Sequence, residues 1–327
     1  MKVGIIGLGK MGLLHSCILH TLPNVEVVAV CDKSMIIRRF FKKLFKNAVI
    51  TDDFTKMACL NLDAIYVTTP IPSHYPILKE IYSKGIACNV FVEKTLTSSF
   101  SDSEKLCSLV KNIGGVNMVG YMKRYCVTFR KAKELLEQKI IGDITSFSAG
   151  AFSSDFVEVA ATAKEPLARG GVLKDLGSHV IDLALWFFGD CFVDDAVIES
   201  VTAPGCEDVA YFRVKTRNGV SGDFAVSWCK KGYRMPEFVL SIHGNKGVID
   251  VNDDKVSLAL NNGTSRYWYR HDLSDNVEFL IGASEYYRED HAFIASIQNG
   301  SAASPSFFES LNVDYLIEQV KKKARYQ

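Results

Sequence analysis

The chain has 327 residues, 48% hydrophobic and 23% charged, with a net charge of +1. That is the composition of an ordinary globular protein long enough for two domains, and its near-neutral balance argues against nucleic acid or a membrane as the main partner. No apolar stretch approaches the roughly 20 residues of a membrane span, and the nine cysteines show no CxxC spacing, so free thiols in the cytoplasm are expected rather than disulfides or zinc.

Residues 1–122 alternate two periods. KVGIIG (2–7) reads as a buried strand, KMGLLHSCILHTL (10–22) as a helix and VEVVAVC (25–31) as a strand. SMIIRRFFKKLFKN (34–47) reads as a crossover helix. Ile36, Ile37, Phe40, Phe41, Leu44 and Phe45 are expected to form its buried stripe, with the basic residues as its solvated face. The alternation continues through strands at 63–69, 87–94 and 116–121 and helices at 73–85 and 99–115. Strands joined by helices at this pitch predict an α/β Rossmann domain, a doubly wound parallel sheet, over 1–122.

The pattern then changes. After a helix at 126–142, a strand from about 142 to 152 and a strongly apolar helix at 172–188, strands follow one another with hairpin signals at TRNGV and HGNKGV. Helices at about 285–299 and 306–324 end the chain. Residues 123–327 are therefore expected to form an α+β domain with an open, largely antiparallel sheet for substrate binding and oligomerisation.

GLGKMG (7–12) follows a strand and opens a helix, the context a dinucleotide fingerprint requires. Gly7 permits the turn, Gly9 lets backbone approach a pyrophosphate, and Gly12 lets the helix pack close, with Lys10 and Met11 between them. Asp32, twenty residues past Gly12, is placed to accept hydrogen bonds from the adenosine ribose. Its charge would repel a 2′-phosphate, so NAD is expected and NADP is the second choice, with Lys33, Ser34, Arg38 and Arg39 softening the preference.

Ligands in open α/β sheets bind beyond the carboxyl ends of strands. Thr69, Pro70 and His74 in VTTPIPSHYP are thereby expected at the cofactor crevice, with Ser73 as a helix N-cap. Glu93 and Lys94 lie at another strand end, again at the ligand edge, but on their own they read as an ordinary surface ion pair. KDLGSHVID (174–182) sets Asp175, His179 and Asp182 on one helical stripe. A self-satisfied buried pair, a catalytic edge and, more remotely, a metal site all fit that spacing.

GLGKMG, EKT (93–95) and GGVLKDLGSH (170–179), in this order and spacing, resemble the Gfo/Idh/MocA oxidoreductases over essentially the whole chain. The resemblance implies a Rossmann domain, a second domain with an open sheet, and NAD(P)-dependent hydride transfer to or from a hydroxyl or ketone. Sugars, cyclitols and sugar nucleotides are the substrates it implies. By position it implies Lys94, Asp175 and His179 as catalytic residues, and it places YMKRY (121–125), with Met122, beside the nicotinamide. Thr95 stands where the family has a proline, so a different backbone after Lys94 is expected.

Histidine's ordinary pKa near 6.5 suits a base at neutral pH, whereas lysine's, near 10.4, would have to fall by about 3 units. His179 is therefore read as the base, Lys94 as the cation that stabilises the alkoxide, and Asp175 as the group that orients substrate or imidazole. Arg124 and Arg169, with Lys164, are candidates to meet an anionic substrate group. The competing readings are a dinucleotide-binding sensor and an enzyme whose transient NAD oxidation yields net hydrolysis, elimination or epimerisation. A homodimer or homotetramer is expected through one sheet face.

Overall fold

The computed structural model describes residues 1–157, 169–202, 204–233, 235–277 and 282–327. The chain groups into two compact units, residues 1–122 with 277–311, and residues 123–276 with 312–327. The sequence reading kept 123–327 together; residues 277–311 instead group with the first unit.

The first unit opens with β1 (Lys2–Ile6), α1 (Lys10–Thr21), β2 (Glu26–Cys31) and α2 (Met35–Leu44). It continues with β3 (Val49–Thr51), β4 (Ala64–Val67), α3 (His74–Ser83), β5 (Asn89–Glu93), α4 (Phe100–Val110) and β6 (Asn117–Gly120). The six strands are all parallel, in the order β3-β2-β1-β4-β5-β6. The chain reverses direction across the sheet between β1 and β4, which opens the crevice where a dinucleotide binds. β4 is buried along its whole length, as a strand covered on both faces must be.

One strand is added here and one expectation fails. The three-residue β3 was not foreseen, because so short a run carries no periodicity. On α2 only Phe41 is buried, at 1% exposure, whereas Ile36 is 78%, Phe40 51% and Leu44 50% exposed. The helix lies over the β3 edge of the sheet, where there is less surface to cover it than at the centre.

The second unit begins with α5 (Val127–Glu137) and β7 (Ile144–Phe152), then a π-helical turn, Leu173–Gly177, that runs into α6 (Ser178–Phe188). Strands β8 (Cys191–Glu199), β9 (Val209–Thr216), β10 (Ser221–Ser227) and β11 (Glu237–Gly244) follow. Next come β12 (Gly247–Asn252), β13 (Lys255–Leu260) and β14 (Ser265–Tyr269). After α7 (Ser284–Asn299) and α8 (Phe307–Lys323), β15 (Ala324–Tyr326) completes a nine-stranded sheet ordered β14-β13-β12-β11-β7-β10-β9-β8-β15. It is mainly antiparallel; β7 with β10 and β8 with β15 are the parallel pairs. Phe188 of α6 stacks on Phe147 of β7, ring centres 4.0 Å apart, which fastens the helix to one face of the sheet.

The core of the first unit explains the return of 277–311. Tyr66 of β4 and Phe91 of β5 stack at 4.7 Å, and Phe293 of α7 meets them edge-on at 5.5 and 5.8 Å. Phe293 is fully buried, so α7 covers apolar sheet surface that would otherwise face water.

Candidate functional site

The glycine-rich turn connects β1 to α1. Gly7 has φ +93°, and a Cβ there would lie 2.8 Å from the Thr69 backbone nitrogen. At Gly12 a Cβ would sit 2.0 Å from the Gly7 carbonyl oxygen, so the first turn of α1 passes directly against the loop. Thr68, which the sequence reading passed over, donates its hydroxyl to that same carbonyl at 2.5 Å. Gly12→Ala is expected to weaken dinucleotide binding at least tenfold, since about an ångström or more must open in a backbone-lined contact. A fluorescence titration with NADH, beside a thermal melt, checks this.

Gly9 is the opposite case. A Cβ there would meet nothing within 4 Å, and Gly9 caps α1 with no side-chain hydrogen bond and no acidic residue in the first turn. The helix N-terminus thus offers its partial positive charge and N–H groups to an open space, which fits a pyrophosphate. Lys10 is exposed and Met11 half-buried at this mouth. Asp32 anchors the turn: its Oδ2 accepts from the Leu8 N–H at 2.8 Å and its Oδ1 from the Ser34 N–H at 2.7 Å. Arg38 donates to the Asp32 and Lys33 carbonyls at 2.7 and 2.9 Å, and Lys33 itself is exposed. The residues present therefore fit a dinucleotide.

At the next strand end, Thr69 is half-buried and Pro70 exposed. Ser73 does not cap α3; its hydroxyl donates to Thr69 Oγ1 and the Pro70 carbonyl, both at 2.7 Å. His74 is fully buried, with its ring nitrogens 2.8 and 2.9 Å from the Thr69 and Thr95 carbonyl oxygens. Burial lowers its pKa against the pull of those carbonyls. His74 thus ties the ends of two strands together rather than standing open to a ligand.

Glu93 is buried at 8% exposure, and its Oε2 accepts from the Lys94 N–H at 3.1 Å. The Lys94–Thr95 peptide bond is cis. Lys94 itself is half-buried at the carboxyl end of β5. Behind Glu93 stands His15 of α1, absent from the sequence reading. Its Nε2 lies 3.0 Å from Glu93 Oε1, and its Nδ1 lies 2.8 Å from Asp290 Oδ1 of α7. Met122 closes the first unit, 9% exposed.

In the second unit, Asp175 lies within the π turn and His179 on the first turn of α6. The expected single α-helical stripe is therefore interrupted. A π turn widens the helix by a residue and is often found at functional sites. Asp182, three residues past His179 on α6, is committed elsewhere. It is fully buried and takes Arg124 in a two-point ion pair, Nε to Oδ2 at 2.8 Å and Nη2 to Oδ1 at 2.7 Å. Arg124, 5% exposed, thus has a structural partner where a substrate group was expected.

Arg169 bridges two carboxylates, Asp155 at 2.7 Å and Asp175 at 3.3 Å, with its guanidinium 4.9 Å from the centre of the Phe156 ring. Burial pulls its pKa down, but the Asp155 hydrogen bond and the Asp175 charge hold it above the ordinary value. Lys164 and most of the 153–171 loop lie outside the described residues.

His179 is 5% exposed and meets the Phe238 ring edge-on at 5.1 Å. Lys123 lies 4.7 Å over the same ring and pairs with Asp253 at 2.5 Å. Phe238 escaped the sequence reading because it sits in an ordinary alternating strand, and Lys123 was named only as part of YMKRY.

Comparison with known proteins agrees with this architecture. Residues 1–121 match the family model of an oxidoreductase family with an NAD-binding Rossmann fold, and residues 129–250 match the GFO/IDH/MocA C-terminal domain. Myo-inositol 2-dehydrogenase of Thermotoga maritima is 24% identical, over 94% of this chain and 91% of that protein. Inositol 2-dehydrogenase of Rhizobium meliloti is 22% identical over the same shares. A levoglucosan dehydrogenase solved with NADH and L-sorbose superposes with a TM-score of 0.87 at 21% identity, covering 99% of this chain and 96% of that one. A fold, a glycine-rich turn and two matched domains in the same order place the chain in the Gfo/Idh/MocA family of oxidoreductases.

Proposed function

We propose that this NAD(P)-dependent oxidoreductase acts on a secondary hydroxyl or ketone of a sugar, cyclitol or sugar-nucleotide-like substrate, with His179, Lys94 and Asp175 as its catalytic residues. The observation that carries the reading is the uncapped N-terminus of α1 behind Gly9, with Asp32 anchored at its side. The inositol dehydrogenases to which the chain is similar supply the substrate class. NAD is favoured over NADP because Asp32 presents a carboxylate where a 2′-phosphate would lie.

Hydride acceptance from the carbinol carbon is the chemistry a bound nicotinamide supplies. His179 takes the hydroxyl proton on an imidazole nitrogen. Lys94 donates a hydrogen bond to the same oxygen as negative charge develops. Its backbone is held by Glu93, so the side chain starts from a fixed point. Asp175, held by Arg169, orients the substrate or the imidazole. In the reductive direction each proton move reverses.

We also infer assembly through the open face of the nine-stranded sheet. Tyr211 is 48% and Phe192 51% exposed there, beside a shallow hollow of about 460 Å³ bordered by Ser148, Gly150, Ala225 and Val239. Such a face is suited to a second copy. All nine cysteines are free thiols, which suits the cytoplasm, and no helix among the described residues is long and apolar enough to cross a membrane.

The test is NAD reduction, followed at the nicotinamide absorbance, across sugars, cyclitols, hydroxy acids and nucleotide sugars, with NAD and NADP binding titrated in parallel. Turnover of a cyclitol or sugar with NAD is the expected result. Product formation without net NADH would replace the reading with transient oxidation. No dinucleotide binding would end it.

A further inference from the structure

The basic helix α2 enters the site above only through Arg38, yet it carries the largest departure from the sequence reading. Its apolar residues do not all face the core. Ile36, Phe40 and Leu44 recur at every fourth position, and each is at least half exposed. They form a ridge along one flank of the helix.

The neighbouring flank is cationic. Arg38, Arg39, Lys42 and Lys46, with Met35, border a hollow of about 350 Å³ between α2 and β3. Lys43 lies between ridge and hollow on the helix surface. Residues 33–51 contain six cations and no acidic residue, in a chain whose net charge is only +1. Asp32, Asp52 and Asp53 bound the segment and Asp52 lies 3.8 Å from Arg38, which leaves Arg39, Lys42, Lys43 and Lys46 as a positive flank beside the apolar ridge.

We propose that α2 is a docking surface for an anionic lipid bilayer, with lipid phosphates over the cationic hollow and Ile36, Phe40 and Leu44 entering the headgroup boundary. Two features favour a bilayer over a protein. The apolar part is a few side chains on one ten-residue helix, far short of the roughly 20–30 residues a side of a stable protein interface. Apolar ridge and cationic flank side by side are what an interfacial helix uses, since it needs acyl contact and phosphate contact together. Phe41, buried and stacked on Phe45 at 5.9 Å, keeps the helix fixed to the fold while the ridge faces outward. Membrane contact of this kind is peripheral, and it departs from the expectation that no membrane is a partner.

The full chain is spun with sucrose-loaded vesicles of phosphatidylcholine alone, or with about one third phosphatidylserine. Pelleting is expected with the anionic vesicles at least tenfold above the neutral ones, and it should weaken as salt shortens the reach of the cations. Lys42→Glu with Lys46→Glu should abolish it, as should Phe40→Ser with Leu44→Ser. All four positions are exposed, so folding and NADH binding should be unchanged. Equal pelleting with both vesicle types, or wild-type pelleting by both variants, would overturn the proposal. So would a concentration-dependent dimer that Phe40→Ser dissolves while the vesicles capture nothing, because the ridge would then belong to a second copy.

Discussion

His179→Ala is expected to lower turnover by roughly 10²–10⁴-fold while leaving NADH binding close to wild type. The split follows from where the residue sits. His179 belongs to the second unit, on α6, whereas the glycine turn and Asp32 belong to the first. On the proposed assignment its loss removes the group that would take the hydroxyl proton, while the glycine turn keeps its own anchor in Asp32. It also removes a ring from contact with Phe238, so a modest loss of stability accompanies it. Steady-state kinetics beside a thermal melt separates the two effects. His179→Gln, which keeps polarity and much of the volume, should restore stability without restoring rate. Turnover within a few-fold of wild type in His179→Ala would move the base role to Lys94.

Local pattern was readable and long-range partnership was not. The alternation of the first 122 residues, the glycine turn and the hairpins are local signals, written in spacings of a few residues. The helices at 284–299 and 307–323 were also plain from their period. That the first of them covers Tyr66 and Phe91 was not, because its partners lie more than two hundred residues earlier. The same applies within the site. Arg124 read as a loose cation, since its partner Asp182 is 58 residues away. Asp182 in turn read as one of three groups on a stripe, because spacing does not show that Arg124 holds it, and α-helical spacing also hid the π turn that shifts Asp175 relative to α6. On α2 the period was right, but burial depends on what lies above the helix, and a sheet edge leaves its apolar residues uncovered.

The residue with the least local signal carries the second large effect. His15→Ala is expected to cost about 3–5 kcal/mol of unfolding free energy, because it strands two buried carboxylates that now share one ring. His15 is fully buried, with Asp290 on one nitrogen and Glu93 on the other. Burial alone would lower its pKa; the Asp290 and Glu93 carboxylates override that and raise it well above the ordinary histidine value. Burial also raises Asp290, against the pull of His15. The two directions conflict for a charged pair, and the geometry decides for an imidazolium, since both ring nitrogens face carboxylate oxygens and only the charged ring donates to both. Tyr66 also faces Asp290 and brings no positive charge. A raised histidine stabilises the folded state fully below its unfolded pKa, near 6.5, and that contribution fades as pH rises through the higher folded value. Wild-type stability measured in urea should therefore carry a downward slope above about pH 6.5 that His15→Ala lacks. Parallel slopes in the two proteins would mean that the ring is neutral in the folded state. The same variant reports on the site, because Glu93 holds the Lys94 N–H with the oxygen that His15 leaves free. With the clamp gone, turnover should fall more than NADH affinity, since the cofactor turn keeps its own anchor in Asp32.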